Sequence, residues 1–173
     1  MRILTVLSTV LGGSSLLALG AFLWMGSVQT VSLGMVGSRI LLWDAALSIC
    51  VFIQHSGMIR RAFRGRFERV APPHVHAAVY SIVSGVALLL VLSLWQRSPV
   101  IVWTVDQPWS WIFRVGFVVA IIGFVWGVRA LRGFDVFGLR PIRDRARGRT
   151  RPPELLTFRG PYRWVRHPLY TCV

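Results

Sequence analysis

The chain has no lysine and no asparagine. Without asparagine there is no N-glycosylation acceptor. Only two cysteines are present, Cys50 and Cys172. They lie far apart in apolar stretches, so both read as free thiols, and disulfide frameworks and cysteine zinc sites are excluded. Acidic residues number only 6, and charged residues of both signs make up 15% of the 173 positions. What fills the chain instead is apolar: 54% of residues are hydrophobic, with 8 Trp and 10 Phe, and the mean hydropathy is +0.60. A soluble domain of this size could not hide so much apolar surface, and a disordered or collagen-like chain would not carry it. The composition is that of a multispanning membrane protein.

Four apolar runs are long enough to cross a bilayer, which takes about 20 helical residues. They cover about 3–25, 40–58, 75–95 and 109–130. The first follows Arg2 like a signal peptide, but it is too long and lacks a small-residue cleavage site. All twenty basic residues are arginine, and the net charge is +14. Such a charge often marks nucleic-acid binding. Here the arginines follow topology instead, and no nucleic-acid partner is expected. Arg60, Arg61, Arg64, Arg66 and Arg69 lie between the second and third runs, and eleven arginines from Arg129 to Arg166 follow or end the fourth. The other two loops carry Arg39 and Arg97. The positive-inside rule then puts the N-terminus, the second loop and the C-terminal segment in the cytoplasm, and the expected location is the bacterial inner membrane. Trp95, Trp103, Trp109 and Trp111 gather at the third loop, as interfacial aromatics do.

The expected fold is therefore an all-α integral membrane helical bundle of four transmembrane helices plus the start of a fifth segment. Residues 1–130 form the four-span region, and 131–173 hold a cytoplasmic Arg/Pro-rich linker, which over 131–160 lies near anionic headgroups of membrane lipids, followed by the start of a further segment. Arg151-Pro152-Pro153 opposes helix in that linker. From Leu169 the chain turns apolar and stops at Val173, which reads as a fifth membrane segment cut off.

Polar residues within spans are functional candidates by default, with interhelical hydrogen bonding as the structural alternative. Asp44, Ser48 and His55 share one face of the second span, but Asp44 and His55 stand about 16 Å apart along it and cannot touch. Gly116, Ala120, Gly123 and Gly127 form a small-residue face on the fourth span that permits close packing. His74-Val75-His76 could pair on a metal, or be solvated loop residues; no third ligand has suitable spacing. His55 with His167 as axial haem ligands is a further reading. No metal site is assigned.

The most informative string is Gly160-Pro161-Tyr162-Arg163-Trp164-Val165-Arg166-His167-Pro168-Leu169-Tyr170. Gly-Pro turns the chain. Arg166 and His167 put a fixed cation beside a titratable imidazole, and Tyr162, Trp164 and Tyr170 supply aromatic walls. Such a site could hold an adenine ring and a carboxylate. The same residues also suit an interfacial anchor flanking a new span, and physics alone does not separate the two. The pattern closely resembles the nucleotide-side motif of isoprenylcysteine carboxyl methyltransferase-like membrane methyltransferases, and phospholipid N-methyltransferases share a similar one. Phe52-Ile53-Gln54-His55-Ser56-Gly57-Met58 and Asp135-Val136-Phe137-Gly138-Leu139-Arg140 resemble the branch holding methanethiol S-methyltransferases and NnrU-like proteins.

The resemblance covers about residues 35–173. It implies an S-adenosylmethionine-dependent methyltransferase with Tyr162, Arg166, His167, Pro168 and Tyr170 in the cofactor pocket. His55 falls on the substrate side, and His55, His167 and Arg166 are the catalytic candidates. The implied partner is a small thiol such as methanethiol, or a lipid-like methyl acceptor such as a lipid or isoprenylcysteine carboxylate. A non-enzymatic NnrU-like role in nitrogen-oxide respiration is the rival class. The family pattern continues past Arg-His-Pro with an apolar segment, a Glu-containing stretch and a Tyr/Pro-rich tail, which the 173 residues do not contain.

Overall fold

The computed structural model describes residues 1–100, 104–131, 135–149 and 160–165. Every element among them is helical: α1 (Arg2–Met25), α2 (Ser38–Ile59), α3 (Arg61–Phe67), a 3₁₀ turn (Pro73–Val75), α4 (His76–Leu94), α5 (Trp109–Ala130), α6 (Leu139–Ala146) and a second 3₁₀ turn (Gly160–Arg163). The four spans expected from hydropathy appear as α1, α2, α4 and α5, each long and apolar enough to cross a membrane. Two short helices were not expected. α3 occupies the arginine-rich second loop, and α6 lies within the stretch read as a linker. Both are too short for an 11–18-residue periodicity window to register.

The chain divides into two units. The first comprises Met1–Ile101 with Asp135–Thr150, and the second comprises Val102–Phe134 with Arg151–Val173.

In the first unit, α1 and α4 run parallel along a seam of small residues. Ser8, Gly12 and Ser15 of α1 are buried, as are Ala78, Ser81 and Gly85 of α4. Their spacing keeps each set on one helical face. At Gly85 a Cβ would stand 2.8 Å from the Leu11 carbonyl oxygen, so the backbones meet too closely for any side chain there. This is how helices associate where lipid removes the hydrophobic drive and dispersion must hold the interface. Ser15 is satisfied within α1, its Oγ donating to the Gly12 carbonyl at 2.9 Å. The outer faces stay apolar and uncovered, with Leu17 78% and Phe52 71% exposed, as a lipid-facing surface requires.

α2 runs antiparallel to α4. At one end Asp44, 7% exposed, accepts the backbone N–H of Gln96 at 3.1 Å. Gln96 in turn donates to the Val31 and Leu94 carbonyls at 2.9 and 2.8 Å and accepts from the Leu33 N–H at 3.1 Å. Trp43 Nε1 donates to the Leu94 carbonyl at 3.1 Å. Asp44 thus takes the structural role among its two sequence readings: it stitches a loop to two helix ends. The opposite end collects the start of α1, the end of α2, the start of α4, and the arginine-bearing α3 and α6. α6 is anchored by Ile142, 3% exposed, while Arg143, Arg145 and Arg147 face outward.

In the second unit, α5 packs its last turns against the Gly160–Arg163 turn. Gly127 is its buried residue, whereas a Cβ at Gly116 would meet nothing within 4 Å. In the first unit the tight small-residue packing lies on α1 and α4.

Candidate active site

His55 sits one turn before the end of α2, and Tyr80 one turn after the start of α4. The antiparallel pairing brings them together. The Tyr80 hydroxyl lies 3.0 Å from Nδ1 and 2.9 Å from Nε2 of His55, so it can pair with either nitrogen, one at a time. The rings are 5.2 Å apart between centroids and tilted by 44°. Beside them Gln54 Nε2 donates to Met58 Sδ at 3.0 Å and to Ser84 Oγ at 3.3 Å, which ties α2 to α4 again one turn past Tyr80.

His55 and Tyr80 open onto a cavity of about 180 Å³. Val51 of α2, Leu16 of α1 and Leu88 of α4 form apolar walls. The fourth wall comes from far along the chain: Val136 and Phe137, just before α6.

The Asp135–Arg140 string explains how that wall is held. The Asp135 carboxylate accepts the backbone N–H of Arg140 in the first turn of α6. The Phe137 carbonyl accepts the Ser8 hydroxyl. Gly138 has φ +67°, a conformation that side chains with a Cβ rarely adopt, and it presses on the backbone of Ala77 and Ala78. The string is a clasp across α1 and α4 that lays Phe137 against Gly12 and the cavity.

In the second unit, Gly160 has φ +57°, and a Cβ there would come within 3.0 Å of the Ala130 Cβ and 3.4 Å of Trp126 Nε1. Pro161 is buried. Trp126 and Trp164 meet edge to face at 5.7 Å. Tyr162 is half-buried, and loss of water around its hydroxyl pushes its pKa above the ordinary tyrosine value. The turn expected at Gly-Pro is thus present and fixed to the end of α5.

Of the site residues named from sequence, His55 belongs to the first unit and Tyr162 to the second. Arg166, His167, Pro168 and Tyr170 lie outside the described residues. Tyr80, Phe137 and the cavity itself were missed. Tyr80 could have been found: it stands as far into the third span as His55 stands from the end of the second, and antiparallel neighbours at equal depth meet. His76 packs against the rings of Phe67 and Phe63, at 5.1 and 6.2 Å. No group of three His, Cys, Asp or Glu able to hold a metal occurs among the described residues.

These features define a helical protein of membrane-spanning type with a histidine–tyrosine pair at the mouth of an apolar cavity. Among proteins of known kind, the chain is 34% identical over 144 residues to a methanethiol S-methyltransferase of Pseudomonas sp. (strain GM41(2012)), covering 79% of this chain and 53% of that protein. It is 32% identical over 125 residues to a protein of the same name from Mycobacterium tuberculosis, covering 68% and 48%. A third, from Crocosphaera subtropica, is 31% identical over 137 residues, covering 75% and 51%. The chain is thus a sequence relative of the methanethiol S-methyltransferase branch that its motifs resemble. It spans about half the length of these relatives. Neither a family model nor a solved structure matches it.

Proposed function

We propose that the chain contributes the acceptor site and part of the donor site of an S-adenosylmethionine-dependent membrane methyltransferase acting on a small thiol such as methanethiol. The observation that carries this reading is the His55–Tyr80 pair at the mouth of a largely apolar cavity, to which the two strings that resemble the methanethiol branch contribute His55 and, from the second, Val136 and Phe137. The names of the relatives support a thiol acceptor over a lipid or isoprenylcysteine carboxylate, and an enzyme over a non-enzymatic NnrU-like protein.

The donor supplies a methyl group already activated by its sulfonium charge. The residues of the Gly160 turn fit such a group. Tyr162 remains a phenol that can donate a hydrogen bond, and the Trp164 indole, 77% exposed, offers an aromatic face that attracts cations. In this reading Arg166, His167, Pro168 and Tyr170 complete the cytoplasmic cofactor side.

The chain's own chemistry then lies with the acceptor. A neutral thiol is a weak nucleophile and must become thiolate. A thiol seated at His55 passes its proton to the imidazole. The thiolate sulfur forms a bond to the methyl carbon as the sulfonium–methyl bond breaks, and the His55 proton returns to solvent. Tyr80 holds one ring nitrogen so that the other faces the thiol. Positioning of the two reacting atoms supplies most of the remaining acceleration.

The test is binding of labelled S-adenosylmethionine to the detergent-purified chain, with Arg166→Ala as control. Saturable binding that the substitution abolishes is the expected result. Binding that survives Arg166→Ala and Tyr162→Ala together overturns the assignment of the donor site.

A further inference from the structure

The cavity is larger than methanethiol needs. A cavity of about 150 Å³ with apolar walls is enough to hold benzene, a molecule of six heavy atoms. Here about 180 Å³ is offered to an acceptor with two heavy atoms. The cavity is also polarised along its length. His55 and Tyr80 sit at one end; Leu88, which also lines it, is eight residues further along α4, a distance of about 12 Å. Between them the lining is largely apolar, with Val51, Leu16 and Phe137, and is interrupted by the hydroxyls of Ser15, Ser81 and Ser84. A polar pair at one end and an apolar slot behind it match a molecule with one sulfur head and a straight hydrocarbon tail.

We propose that this cavity is an acceptor slot for straight-chain alkanethiols, with the sulfur at His55 and Tyr80 and the tail directed toward Leu88. The proposal rests on the thiol reading above for the transfer step. In that step the longer thiol gives its proton to His55, its sulfur gains the methyl group, and the donor sulfonium becomes a neutral thioether. Binding to the slot stands independently of transfer. Leu88 and Val51 then set the longest tail that fits, and Tyr80 is a positioning residue that reads the sulfur end whatever the tail.

The experiment uses the full chain in lipid nanodiscs, with empty nanodiscs as the reference for partition into lipid. 2,2,2-Trifluoroethanethiol is followed by fluorine NMR and displaced by thiols from methanethiol to octanethiol. Affinity is expected to rise about fourfold per methylene while each added carbon is buried, and then to stop rising within the series. Leu88→Phe and, separately, Val51→Phe are expected to bring that stop to shorter thiols. Tyr80→Phe is expected to weaken every thiol by a similar factor, about three- to tenfold for one lost hydrogen bond, without moving the stop. Affinity that rises through octanethiol as it does in empty nanodiscs overturns the slot, as does a stop that neither phenylalanine moves. Thiol binding with this pattern together with S-adenosylmethionine binding that survives Arg166→Ala and Tyr162→Ala upholds the slot and overturns the donor-site reading separately.

Discussion

The Tyr80 hydroxyl sits within 3.0 Å of both ring nitrogens of His55, across an α2–α4 contact. An imidazole alone on a helix end rotates freely and shares its proton between two tautomers. A phenol within reach of both nitrogens restrains the ring and pairs with one nitrogen at a time, and the nitrogen left over is the one the proposed transfer would use. His55→Ala is therefore expected to lower thiol methylation by about 10²–10⁴-fold, the usual range for a general base. Tyr80→Phe should lower it less. Dimethyl sulfide released from methanethiol measures both.

Asp44 is expected to matter for stability and not for chemistry. Asp44→Ala leaves the buried Gln96 N–H without its acceptor, at a cost of about 1–3 kcal/mol. Thermal unfolding in detergent should show the loss, while the affinity for trifluoroethanethiol at the far end of α2 stays unchanged.

Gly138→Ala tests the clasp. It combines a left-handed φ of +67° with a Cβ driven into the Ala77–Ala78 backbone, and the conformational part alone costs about 1–2 kcal/mol. The expected outcome is a lower unfolding temperature together with weaker thiol binding, since Phe137 loses its support. Gly116→Ala, at a position with open space around it, should change neither.

The arginine distribution predicts sidedness. In a Cys50→Ser, Cys172→Ser background, Arg66→Cys should react with an impermeant maleimide only in inverted vesicles, and Arg39→Cys only in right-side-out cells. Labelling of both from the same side rejects the odd number of crossings between them.

The spans were legible because a long apolar run has few other uses, and α5 matches its expected limits of 109 and 130. His55 was legible because an imidazole inside such a run is conspicuous. Tyr80 was not, since a tyrosine near a span end also suits an interfacial anchor, and only the register of α2 against α4 distinguishes the two. Phe137 was less legible still. The Asp135–Arg140 string resembled a branch motif, but nothing local to it says that Gly138 lands on Ala77 and that Ser8 reaches the Phe137 carbonyl. Those are contacts across more than a hundred residues of sequence for Ser8, and local propensity carries no information about them. The small-residue seam was hidden for a related reason: Ser8, Gly12 and Ser15 look like ordinary variety within α1 until α4 lies beside them.

The clasp also sets an order of events during synthesis. α1, α2 and α4 can leave the ribosome and assemble their seam, yet Phe137 follows the end of α4 by about forty residues, a delay of roughly 2–8 s at about 5–20 residues per second. Through that interval the slot lacks one wall. A nascent chain arrested before Phe137 should therefore carry a membrane-inserted but thiol-blind precursor, and ligand competence should switch on only when the polypeptide has passed out of α5 and doubled back.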